Sequence, residues 1–267
     1  MGENKQNEAF WQQPPWFEGR SKHRLGLRPI DIAALWQPDG SLFANKSLQL
    51  ETNYTNVVGT MAGYERVACD IPGLELSKQR YPDWIANVGT MVAEDLCLID
   101  TTDENRFVAG CLAAPSYWLL HEKLGQALFE VHAPVEGMNA KIGTRVDGFF
   151  SRLPIGRPFR RANWFVHAEA EYFRTDSSTR SLLDADPADW FFRSESQTLL
   201  RLDEQFVLFV IAVTFVPVSD LARNKASIEP LLASLSAMDR DEISHFGGVA
   251  KFQRLTDYVA SLVRINS

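Results

Sequence analysis

Histidine is scarce among the chemistry-bearing residues of the chain, at His23, His121, His132, His167 and His245. None lies in an HExxH or similar metal-ligand spacing, so a multi-histidine centre would need them to converge from scattered positions. Two of them share a stripe. In PSYWLLHEKLGQALFEVH, residues Trp118, His121, Gly125, Leu128 and His132 recur at steps of three and four, the spacing of one helix face. His132 closes that stripe just before Pro134, whose ring fixes the backbone there. From position alone two readings of His132 stay open: a hydrogen-bonded core histidine, or an imidazole aimed at a metal or cofactor. His121 is the second ligand candidate. Met61 and Met138 are thioethers that suit core packing better than ligation. Cys69, Cys97 and Cys111 form no CxxC pair, which argues against a disulfide framework and a zinc ribbon. Glu169 and Glu171 lie two apart, on what reads as a solvated strand face. GxGxxG, Walker and GxSxG motifs do not occur, so the chain has no nucleotide fingerprint or nucleophile elbow.

The elements that must position these residues are readable in outline. DLCLIDT and RFVAGCLA flank a Thr/Asp/Asn-rich turn and predict a β-hairpin. SQTLLRL, a DEQ turn and FVLFVIAVTFVPV predict a second. The last strand is apolar on both faces, which marks it as central and covered. RANWFVHAEAEYF alternates: Trp164, Val166, Ala168, Ala170 and Tyr172 share one face. Phe165, His167, Glu169 and Glu171 share the other, and the glutamates place His167 on an exposed or mixed face. Residues 53–66, the segment from Pro82 to Val92, the stretch from Pro115 to His132, residues 138–153, and residues 227–238 and 241–263 read as helices. The sum is an α+β fold of about five antiparallel strands in two hairpins plus one strand. Residues 1–267 read as a single domain, with 1–40 an irregular wrapping segment that inserts Trp11, Trp16 and Trp36, and 225–267 a helical C-terminal extension.

At 267 residues and 45% hydrophobic, the chain can bury one sizeable core. Its formal net charge of −7 repels phosphate backbones and argues against nucleic acid as a partner. The first residues lack a basic stretch followed by an apolar one, and the longest apolar run, Phe206 to Val218, is far short of a membrane span. A cytoplasmic protein without a membrane anchor is the expectation.

Taken in order, several elements resemble the alpha subunit of haem-dependent oxidative N-demethylases. Glu94, Asp95 and Leu96 open a hydrophobic strand. Pro115, Ser116 and Trp118 precede a Glu122-Lys123-x-Gly125 stretch that closes on His132, Pro134 and Val135. Downstream come Arg161, Asn163 and Trp164, then Arg193, Glu195, Gln197, Thr198, Leu199, Arg201 and Leu202. Upstream, Pro14, Pro15, Trp16, Gly26, Leu27 and Pro29 match the opening. The resemblance spans nearly the whole chain. It departs at Glu136, where a proline is expected, and at Ser196, where an arginine is expected, which would remove a cation from a strand facing cofactor or substrate.

The resemblance implies a PAS-like fold, a five-stranded antiparallel sheet with helices packed on it, holding haem b with His132 as iron ligand. Gly125 on the same stripe as His132 would leave room for the macrocycle, and Trp118 belongs to the same cofactor-facing set. Arg161, Arg193 and Arg201 flank the shared strands and are candidates for the haem propionates, although structural ion pairs account for them equally. Glu195 is the candidate catalytic carboxylate that holds a protonated amine. The implied function is an oxygenase component that demethylates a small secondary amine with O₂ and releases formaldehyde. Electrons would come from a partner reductase carrying FMN and an iron–sulfur cluster and using NADPH. A haem or small-ligand sensor without turnover, and a scaffold that has lost the cofactor, are the alternatives.

Overall fold

A computed structural model describes residues 8–18, 26–76, 78–131, 148–150, 152–175 and 182–265. In chain order the regular elements are β1 (Arg28–Pro29), α1 (Gly40–Thr52), α2 (Tyr54–Val57), β2 (Val58–Thr60), α3 (Trp84–Gly89), β3 (Asp95–Asp100) and β4 (Arg106–Cys111). There follow α4 (Leu120–Lys123), α5 (Leu128–Val131), β5 (Phe159–His167), β6 (Phe191–Arg201), β7 (Phe206–Pro217), α6 (Ile228–Ser236), α7 (Arg240–Phe246) and α8 (Val249–Ile265). The seven described strands make one sheet in the order β1-β5-β6-β7-β3-β4-β2, every neighbour antiparallel. The fold is therefore α+β. Its five long strands are those the hydrophobic patterns predict, and two short edge strands add to them. No described helix is long and apolar enough to cross a membrane.

Both predicted hairpins form. Asp203 accepts from the backbone of Gln205 (2.8 Å) and Phe206 (2.7 Å) and so builds the β6–β7 turn. β7 lies between β6 and β3, which is why it is apolar on both faces.

One face of the sheet carries Trp164 and Val166 of β5, Phe192 and Leu200 of β6, Leu208, Val210 and Val216 of β7, and Leu96 and Leu98 of β3. At one end Trp16 packs on Phe192 (4.8 Å between ring centroids) and Trp164 (5.4 Å). Ile228, Leu231, Leu235, Leu255 and Val259 of the C-terminal helices complete that cluster. At the other end Leu50, Ile85 and Val88 cover Leu96, Leu98, Val108 and Leu208. Trp16 thus packs onto this face of the sheet.

Three predicted helices are corrected. The 115–132 segment is not continuous: α4 is one turn, Leu124 is extended, and Gly125 has φ +82°. The cause is tertiary. The Gly125 N–H donates to Phe107 O (2.8 Å), the Phe107 N–H donates to Gln126 O (3.0 Å), and Ala127 bridges Arg106. The first residues of β4 take the backbone groups that a helix would have used internally. Residues 53–66 hold only one helical turn before β2 pairs with β4. The 241–263 segment splits where Gly247 (φ +117°) and Gly248 (φ +92°) adopt left-handed backbone.

Candidate functional site

The opposite face of the sheet carries the chemistry. Antiparallel register sets Arg161 against Gln197, Asn163 against Glu195 and Phe165 against Arg193. Residues 193, 195 and 197 alternate onto the same face, so three polar side chains of β6 stand in a row. They bond in sequence. Arg161 Nε donates to Gln197 Oε1 (2.7 Å), Gln197 Nε2 donates to Glu195 Oε2 (2.7 Å), and Arg193 Nη1 donates to Glu195 Oε1 in a close ion pair. The second arm of Arg193 donates to the carbonyl of Ala114 (2.8 Å).

Burial alone would push the Glu195 carboxyl up. The Arg193 charge, hydrogen bonds from Arg193 and Gln197, and the nearby Arg161 charge outweigh it and hold Glu195 below the ordinary carboxylate range. Burial lowers Arg161, and Glu195 opposes that shift. The row is thus a largely buried, ionised carboxylate between two guanidinium groups.

An apolar strip adjoins it directly. Gln197 pairs with Ile211 and Leu199 with Phe209 in the β6–β7 ladder. Ile211 and Phe209 are half-buried and pack with Trp118 against Cys97, Phe107, Leu112 and Leu120. Gly110 makes that packing possible, because a Cβ there would lie 2.8 Å from Leu120 Cδ1 and 2.7 Å from Phe107 Cζ.

The structure brings together Glu195, Arg193 and Arg161 from the sequence-predicted set, and Trp118 packs on the neighbouring apolar cluster. Arg201 lies elsewhere: its guanidinium donates to the carbonyls of Asp203, Phe150 and Glu204 and to Thr101 Oγ1, which ties down the β6–β7 turn. Gly125 forms the turn after α4, its carbonyl accepting from Arg106 (2.7 Å). Met61 Sδ lies 3.8 Å from where a Cβ on Gly125 would be, and Met61 packs in the α1–α3 cluster. His132, His23 and Met138 lie outside the described residues. His121 is exposed on α4, and His245 on α7 meets the Phe165 ring edge-on. No three His, Cys, Asp or Glu side chains among the described residues could together hold a metal ion.

His167 and Ser196 depart from expectation. His167 is buried, not exposed, because β5 ends there and Tyr117 covers it. Tyr117 stacks on His167 at 5.3 Å, with its hydroxyl 3.3 Å from Nδ1, and Phe215 closes the other side. Burial, with Arg193, Lys251 and Arg174 nearby, pushes the imidazole down to about 3, so it is neutral. Ser196 points to the face away from Glu195 and accepts from Gln37 Nε2 (3.1 Å). A serine in place of an arginine there leaves the charges around Glu195 intact.

Sequence reasoning passed over the parts of the site that anchor it. Gln197 joins Arg161 to Glu195, and its parity with residues 193 and 195 was the available signal. Asp95 accepts from the N–H groups of Ala113 (2.8 Å) and Ala114 (2.9 Å), an arrangement no local pattern announces.

The fold is an antiparallel α+β sheet that sets a largely buried, ionised carboxylate beside a half-covered apolar strip. The family model described as haem-dependent oxidative N-demethylase, alpha subunit-like, matches residues 45–256, and the chain belongs to that family. The family's description carries haem dependence and, as an alpha subunit, a partner subunit. No curated protein matches the chain.

The residues present fit haem in chemistry. Phe209, Ile211 and Trp118 offer apolar surface for a flat ring. Arg161 spends only Nε among the described residues, which leaves two nitrogens able to meet a carboxylate.

Proposed function

We propose that the chain is the haem-bearing oxygenase component of an oxidative N-demethylase acting on a small secondary amine. The observation that carries this reading is Glu195: an ionised carboxylate held beside apolar surface, in a chain of this family. A small secondary amine is a cation at neutral pH, and a carboxylate is its natural acceptor. Glu195 has about four lone-pair sites and gives one on each oxygen to Arg193 and Gln197. Acceptor capacity remains for a substrate N–H.

When bound, haem b supplies the oxygen activation that converts the substrate N-methyl group to hydroxymethyl, which leaves as formaldehyde. The balance is one O₂, two electrons and two protons in; formaldehyde, water and the demethylated amine out. The two electrons come from NADPH through a reductase partner with FMN and an iron–sulfur cluster. His132 is assigned as the iron ligand. Arg161 is the best placed of the three arginines for a propionate, since Arg193 and Arg201 are committed elsewhere. Trp118, Phe209 and Ile211 exclude water around the methyl group, which strengthens the Glu195–ammonium attraction. A PAS-like arrangement of the five long strands and residence in the cytoplasm complete the reading.

The test is an absorption spectrum of the haem-supplied protein and of His132→Ala, followed by NADPH-dependent formaldehyde release from dimethylamine with the reductase. A Soret band lost in the variant, and turnover in the wild type, support the reading. Haem binding without turnover of any small amine points instead to a sensor, and no Soret band removes both.

A further inference from the structure

Glu195 does not hold its own position. Arg193, 2% exposed, is a rigid planar fork with one arm on Glu195 and the other on the Ala114 carbonyl. Where Ala114 O sits therefore decides where the first arm meets the carboxylate. Ala114 lies between β4 and α4, outside regular structure, and two neighbouring N–H groups of that loop are taken by Asp95. Asp95 is buried at the start of β3, and Lys46 of α1 reaches in with Nζ 3.9 Å from Oδ1. Lys46 is itself 1% exposed, and its Nζ has no hydrogen-bond partner among the described residues.

A buried ammonium without a hydrogen bond is costly, and an apolar side chain of the same size would serve packing alone as well or better. What the ammonium does here is electrostatic. Burial drives Asp95 towards its neutral form, and Lys46, the two N–H groups and Arg193 oppose that. The other titratable groups that bear on this cluster are Glu94, one residue back on the opposite face, and the thiols of Cys97 and Cys111.

We propose that Asp95 and Lys46 are positioning residues for the Glu195 carboxylate, acting through the Ala113–Ala114 backbone and the divided fork of Arg193. The inference rests on Glu195 being the ammonium-holding group. It converts the Glu94-Asp95 pair of the sequence into two separate devices: Glu94 accepts from the Gln37 N–H and anchors the N-terminal segment, while Asp95 tunes the site.

The experiment is an infrared titration of the Glu195 carboxyl band in the haem-loaded protein, assigned with Glu195→Gln and repeated in Asp95→Asn, Lys46→Met and Glu94→Gln. Calorimetric binding of dimethylammonium chloride is measured in parallel. Lys46→Met is nearly isosteric, and Asp95 keeps the N–H groups of Ala113 and Ala114 and can take up a proton in place of its cation, so the fold is expected to survive even if Asp95→Asn is damaged. The expected result is a midpoint raised by about one pH unit or more in Asp95→Asn and Lys46→Met, a tenfold change in the proton equilibrium, with Glu94→Gln at the wild-type value. An unchanged midpoint in Lys46→Met, or an equal rise in Glu94→Gln, overturns the proposal. A wild type that titrates as expected yet binds no dimethylammonium overturns the ammonium-holding role alone and leaves the positioning result standing.

Discussion

β6 presents Phe192, Ser194, Ser196, Thr198 and Leu200 to one side of the sheet and Arg193, Glu195, Gln197 and Leu199 to the other. The first side is sealed by aromatic and aliphatic side chains from Trp16 and the C-terminal helices at one end and from α1 and α3 at the other. The second side spends its polar groups on one another, and its apolar residues, Phe209 and Ile211, are only half covered among the described residues. One strand thus serves two purposes, separated by a single residue step. The sealed side supplies the free energy that lets the other side keep a buried charge row, which by itself adds little to stability.

Substitutions on the two sides should therefore fail differently. Phe192→Ala, in the sealed cluster, is expected to lose about 3–5 kcal/mol of stability, read as a lower midpoint in denaturant unfolding. The protein that remains folded should bind dimethylammonium as the wild type does, and a lost affinity there would break the separation of the two faces. Glu195→Gln leaves Arg193 buried beside a neutral amide and is expected to lose roughly 3 kcal/mol. It should also lose amine binding altogether, and near-wild-type affinity by calorimetry would end the assignment of Glu195.

His167 gives a pH signature. Its folded pKa is depressed to about 3, so the unfolded chain binds the proton first. The stability from keeping it neutral is complete above about pH 6.5 and is lost as the pH falls through the window from there to about 3. Unfolding free energy should drop at up to about 1.4 kcal/mol per pH unit in that window, on top of the loss from carboxylates such as Glu195, whose depressed pKa moves stability in the same direction below pH 4 or so. His167→Phe should flatten the upper part of that slope, and an unchanged slope would show that the imidazole titrates normally. The smallest effect belongs to Ser196→Ala. It removes one hydrogen bond from Gln37 and is expected to change stability by about 1 kcal/mol or less, with amine affinity unaltered. A lost affinity would place Ser196 in the site after all.

The strands were legible because period-two alternation and an apolar double-faced run survive in the chain without help from tertiary contacts. β7 and the two hairpins are the clearest cases. The helical stripe from Trp118 to His132 was legible in the same way and was misleading, since the first residues of β4 captured the backbone at Gly125 and Ala127. His167 was misjudged for a related reason. Its glutamate neighbours suggested solvent, but the strand stops at His167 and Tyr117, held at φ +63°, lies over the ring. Glu195, Arg193 and Arg161 were nameable from their motifs, and the network among them was not.

By itself the sequence determined the strand set, the apolar centre of the sheet, the family and the charged residues of β6, because each depends on residue type at local spacing. Which arginine meets Glu195, which one is spent on a turn, the orientation of Ser196 away from the site and the link from Lys46 through Asp95 to Ala114 were decided only in the tertiary structure. Those contacts join residues 79 and 159 positions apart, as with Arg193 to Ala114 and Gln37 to Ser196. Register and chain closure, not local propensity, bring such pairs within bonding distance.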